Sequence, residues 1–128
     1  NENIKEFNRE WDAEGLDVLL CPALGTVAMS HSSSKLLNPA ACHCFLFNVL
    51  GFPAGTVPMS PVKKEEQEFD AGVFGWDMLS KAARADTKGT EGLPTAVQVV
   101  AKNFRDETVL RTMKLLEERT APLAFPDL

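Results

Sequence analysis

The sequence predicts an α/β fold, and three observations carry that expectation. Segments whose apolar residues recur every three or four positions alternate with short apolar or β-branched runs. The 128 residues are 45% apolar and 24% charged, which is ordinary for one globular domain and excludes disorder, collagen and a long coiled coil. Charge is also unevenly placed. From Val18 to Val62 the single charged side chain in 45 residues is Lys35, while the other 83 residues carry 30 of the 31. Buried charge is avoided unless paired, so a nearly uncharged third is expected to be covered by a partner or by another part of the same fold.

Ile4, Phe7 and Trp11 lie at i, i+3 and i+7 among Glu2, Lys5, Glu6, Arg9 and Glu10, the pattern of an amphipathic helix that Gly15 stops. Asp17 to Cys21, ending at Pro22, has the length of a strand buried on both faces. Ala23 to Leu37 is small and polar, without periodicity, and is expected to be a long irregular connection. Asn38 followed by Pro39 signals a helix start, with Asn38 as cap. That helix should run to about Leu50, where Gly51 and Pro53 end it, and its apolar residues cover nearly the whole circumference, as in a central helix.

Gly55 to Met59 reads as a strand with Pro58 near its end and Pro61 closing it. Lys63 to Glu68 reads as a solvated excursion. Trp76, Leu79 and Ala83 suggest a short amphipathic helix that ends in Asp86-Thr87-Lys88-Gly89. The run Pro94 to Ala101 after Gly92-Leu93 is the strongest strand signal, with Gln98 its mid-strand polar residue, expected to act as a structural polar tie. Val109, Leu110, Met113 and Leu116 form one face of a last helix that Asp106 is expected to cap. The sequence has no internal repeat.

Several functions are excluded by charge and by pattern. A net charge of -5 offers no footprint for nucleic acid or for an anionic membrane surface. The densest apolar stretch, Pro39 to Phe52, is too short to span a membrane, which takes about 20 residues. The chain opens on Asn1-Glu2-Asn3 without methionine or apolar leader, so a processed or cut chain is expected. Cys21, Cys42 and Cys44 are odd in number and read as free thiols. Neighbours on a helix point apart, so Cys42-His43-Cys44 is a poor ligand set, and His43 is expected to be a core histidine with one hydrogen bond. Crowding in His31-Ser32-Ser33-Ser34-Lys35 does not make a triad, and a polar loop is the expectation there. A chain without an activated nucleophile, metal set or phosphate loop is a binding module or part of an enzyme with its reactive groups elsewhere.

Three stretches in order bear on the choice between those classes. Asp17 to Pro22 after a helix, then Leu50-Gly51-Phe52-Pro53-Ala54-Gly55-Thr56-Val57-Pro58, then Gly92 to Val100 before a helix, together resemble the C-terminal part of the amidase signature enzymes. Phe-Pro-Ala-Gly, the pair Phe74-Gly75 beside Trp76, and Leu-Pro-x-Ala-Val-Gln are similar to the fatty acid amide hydrolase branch of that family, and the likeness covers nearly the whole chain.

The resemblance implies a fold that is a fragment of an α/β/α sandwich around a mixed central sheet, with residues 1–128 forming the C-terminal portion of a single amidase signature domain. It implies hydrolysis of long-chain acyl amides by a Ser-Ser-Lys triad, with no cofactor and no metal. This chain contains neither the glycine- and serine-rich signature nor the lysine segment, so the triad is not transferred to Ser32-Ser33-Ser34 and no catalytic residue is expected within it. Ala41, Phe45 and Trp76 fall at positions that in the family wall the acyl-chain channel, and are the expected substrate-binding residues. The remainder of the amidase fold is the implied partner. An intracellular location, attachment of the parent to endomembranes and a homodimer are compatible with the family. A non-catalytic α/β module that binds an apolar ligand or a protein stays open as the alternative.

Overall fold

The computed structural model describes residues 2–68 and 77–120 of the chain. Within them three strands form one sheet of order β1-β3-β2, with β1 at Leu19–Pro22, β2 at Ala54–Pro61 and β3 at Pro94–Val100. Both pairings are antiparallel, Leu19 opposite Val100 on one side of β3 and Ala54 opposite Val100 on the other. The α/β class is as expected, and among the described residues every strand pairing is antiparallel.

Helices cover both faces. On one side, helix α1 (Glu2–Ala13) and helix α2 (Cys42–Leu50) bury Trp11, Phe47, Leu50 and Phe52 against Val100, with Leu19 and Cys21 of β1 at the margin. Trp11 and Phe7 both meet Phe52 edge-on, with ring centroids 5.6 and 5.7 Å apart, the arrangement the ring quadrupoles favour. The Trp11 indole N–H donates to the Leu16 carbonyl, and Gly15, at φ 64°, makes the turn that brings that carbonyl back. On the other side, helix α4 (Asp106–Glu117) places Val109, Met113 and Leu116 over Val57, Val99 and Ala101. Strand alternation separates the two layers, since Val99 and Val100 point to opposite faces and both are fully buried.

The structure corrects four expectations. β1 is not buried on both faces: Leu20 is 49% exposed, because α4 lies over β2 and β3. Asn38 does not cap; a 3-10 turn at Asn38–Ala41 precedes α2, and Leu37 holds the cap position without a side-chain bond. Leu37 is buried, so apolar packing fixes the entry of the chain there. Asp106 likewise stands inside the first turn of α4, beside Glu107, with Arg105 at the cap; the two acids act on the helix dipole instead. Finally α2 is not enclosed. Phe47 and Leu50 are buried, but Phe45, Leu46 and Val49 are 46%, 47% and 71% exposed.

Expectations hold for the stop of α2 and for β2. Gly51, at φ 67°, terminates α2 in the left-handed conformation, with its N–H and that of Phe52 returning to the last turn. β2 continues through Pro58 to Pro61 with an irregularity between them, which an edge strand tolerates. Helix α3 (Met78–Thr87) starts at Asp77, whose carboxylate accepts from the Ser80 N–H at 3.0 Å and the Ser80 hydroxyl at 2.7 Å. Those bonds hold the Asp77 carboxyl below its ordinary proton affinity.

Candidate functional site

The site is built on α2. Ala41 ends the 3-10 turn, and Phe45 and Val49 follow at intervals of four, so the three stack on one side of the helix. Ala41 is half-buried and Phe45 and Val49 are exposed, which makes an apolar stripe facing away from the sheet. Leu46 widens it. Of the three wall residues expected from sequence, Ala41 and Phe45 thus share a surface, while Trp76, with Phe74 and Gly75, lies outside the described residues. The residue after Trp76 is the Asp77 cap, so the start of α3 is fixed by a charge-assisted bond.

An apolar cleft of about 220 Å³ separates Leu37, Pro39 and Ala40, which precede Ala41 in the chain, from Leu79 and Ala83 of α3. Gly25 and Thr26 close it and also border a larger groove, of about 460 Å³, that runs past Val62 and Pro94. The walls are uncharged apart from Glu66 at the edge of the larger groove. Such surfaces suit a ligand recognised by area more than by polar groups.

The opposite face of α2 rests on Gln98. This side chain is 4% exposed, and its amide is partnered as expected of a structural tie. Its nitrogen donates to Cys21 Sγ at 3.3 Å and to the His43 carbonyl at 3.4 Å, while its oxygen accepts from Cys44 Sγ at 3.3 Å. The Cys44 thiol is also within 3.0 Å of the Ala23 carbonyl. What half-buried His43 brings to this cluster is its backbone oxygen. Cys42 is exposed, so it and Cys44 do point apart. Among the described residues no group of three or more His, Cys, Asp and Glu side chains is placed to hold a metal ion.

The serine run forms the polar loop expected of it. Ser30 Oγ lies 3.0 Å from Ser32 Oγ and 2.7 Å from Ser33 Oγ, and the Ser34 hydroxyl donates to the His31 carbonyl. The acidic partner is Asp86 of α3, whose carboxylate accepts the Ser30 N–H at 3.0 Å. Bonds from the Ser30 and Ser33 hydroxyls hold its proton affinity below the ordinary carboxylate value. A carboxylate weakened as a base does not activate a hydroxyl, so these groups fasten the loop to α3. Sequence reasoning missed Asp86, because a pair 56 positions apart leaves no local signal.

Among the described residues no helix is long and apolar enough to cross a membrane. The family model described as Amidase matches residues 1–110. Fatty acid amide hydrolase 1 of Caenorhabditis elegans is 38% identical over 109 residues, covering 81% of this chain and 18% of the relative. Fatty-acid amide hydrolase 1 of Sus scrofa is 37% identical over 116 residues, covering 88% of this chain and 20% of the relative. An amidase of Gibberella moniliformis is 27% identical over 114 residues, covering 89% and 18% respectively. The chain therefore spans about a fifth of the length of these curated relatives.

Proposed function

Because the chain belongs to the amidase family, we propose that it is the C-terminal portion of a single amidase domain in a serine amidase that hydrolyses long-chain acyl amides. In this reading the serine, activated through its partner serine and lysine, displaces the amine from the acyl carbon. Water then releases the fatty acid from the acyl-serine. Those three groups belong to the remainder of the fold, so the 128 residues alone hydrolyse no amide. The share of this chain is core sheet and channel wall. The enzyme works inside the cell against endomembranes, which hold its lipid substrates.

The observation that carries this reading is the apolar stripe of half-buried Ala41, at the entry of α2, and exposed Phe45 on it. A fatty acyl chain has no hydrogen-bonding group, so a protein can recognise it only by removing its surface from water. A phenylalanine exposed on a helix whose other face is anchored in the core suits that task.

The test is a chain-length series in the intact enzyme, with active sites counted by a fluorophosphonate probe. Full burial of a phenylalanine is worth about 1.5 to 3 kcal/mol, and remote binding energy lowers the barrier to reaction. Phe45→Ala and Trp76→Ala should therefore lower kcat/KM for long acyl amides by about tenfold or more and leave short ones within about threefold. An equal loss at every length, with a lower melting temperature, would assign both residues to packing. Failure of the intact enzyme to take the probe would reject the serine mechanism.

A further inference from the structure

Gln98 stands in the middle of β3 directly opposite Cys21 of β1. Side chains of such a pair leave the sheet on one face with their Cβ atoms about 4.5 to 5.5 Å apart. Here that face is turned to α2, whose Cys44 reaches the same amide. The two sulfurs thus flank one planar group, Cys21 at 3.3 Å from its nitrogen and Cys44 at 3.3 Å from its oxygen. Hydrogen bonding does not account for sulfur at both places. A thiol is a weak donor and a weak acceptor, and a hydroxyl would satisfy a buried amide better. The amidase chemistry uses neither thiol.

We propose that Cys21 and Cys44 are a modification site, a thiol pair that closes to a disulfide when the protein meets hydrogen peroxide. Both sulfurs lie 3.3 Å from the Gln98 amide that stands between them, so closing the bond requires that amide to withdraw and α2 to settle toward β1. One thiol loses its proton and the thiolate attacks peroxide, becoming a sulfenic acid and expelling hydroxide, which takes up that proton to leave as water. The second thiolate then attacks that sulfur, forming the S–S bond and expelling hydroxide, which is protonated to water. Two thiols and one peroxide give one disulfide and two waters. The product would stitch edge strand β1 to α2 and exchange three hydrogen bonds of Gln98 for a covalent tie. Cys42, exposed on another side of α2, has no such neighbour in this cluster.

The proposal is independent of the amidase reading, and its test does not use activity. The folded, intact protein is treated with hydrogen peroxide, its remaining thiols are alkylated, and the digest is mapped by mass spectrometry. The expected product is a peptide linking Cys21 to Cys44, with Cys42 still alkylated and dithiothreitol restoring both thiols. The same treatment in concentrated urea should scatter the pairing to include Cys42. A Gln98→Ala variant should cross-link several-fold faster, because no amide has to move. Should that variant fail to fold, the wild-type map decides alone. Cys21 and Cys44 that remain alkylatable, that pair with Cys42 instead, or that pass to sulfinic acid unlinked would overturn the proposal.

Discussion

A single methyl group tests how the lower layer is packed. Gly55 lies where α4 crosses β2, and a Cβ there would overlap Met113 Sδ and come within 3.0 Å of Met113 Cε. Methionine is flexible, so the helix need not lift bodily, but its side chain must leave a filled site. Gly55→Ala should cost up to about 1 kcal/mol, the low end for overpacking, because the obstructing atoms end a flexible side chain. In a Met113→Ala background most of that cost should vanish, and denaturant midpoints of the four proteins would measure the coupling. Gly55 was legible in the sequence only as part of a strand; that a helix would approach so closely was not. Gln98 was different, since a polar side chain inside an apolar β-branched run must be paired wherever it goes. Its partners, two sulfurs and a carbonyl, come from elements far apart in the chain and could not be named beforehand.

Elements were easier to locate than to orient. Periodicity gave α1, α3 and α4, the Asn38-Pro39 pair marked the entry to α2, and glycines at 15 and 51 gave two of the stops. The caps were misread at Asn38 and Asp106 because a favourable residue one position away from the true cap leaves the same local signal. For α2 the apolar circumference was plain, but which side met the sheet depended on Gln98 and Phe52 arriving from elsewhere. The tie between the 30–34 loop and α3 was not legible at all, and it yields a pH dependence. The folded proton affinity of Asp86 is lowered, so its contribution to stability is complete above the ordinary carboxylate pKa of about 3.9 and fades as pH falls through the lower folded value. Wild type should exceed Asp86→Asn in stability at pH 7 by well under about 1 kcal/mol, as for other exposed charge interactions. That margin should narrow as the pH falls below the ordinary carboxylate range, and urea midpoints of the two proteins should draw together there.

Across the whole molecule the uneven charge of the sequence becomes a spatial pattern. The uncharged third supplies β1, the long connection, α2 and β2, and it includes exposed Leu20, Leu24, Leu36, Phe45, Leu46 and Val49. The three layers were legible from alternating periodicities and from the family resemblance. The strand order was not, because nothing local to β3 states that it lies between two strands that come before it. That order has a consequence for synthesis. Residue 100 must leave the ribosome before Leu19 or Ala54 can meet its partner, and at roughly 5 to 20 residues per second the first strand waits about 4 to 16 s. On ribosomes stalled at increasing lengths, β1 and β2 should stay open to protease until Val100 clears the exit tunnel and then become protected together. A nascent chain with two bare apolar strands for that interval is a client for chaperones that bind at the tunnel mouth.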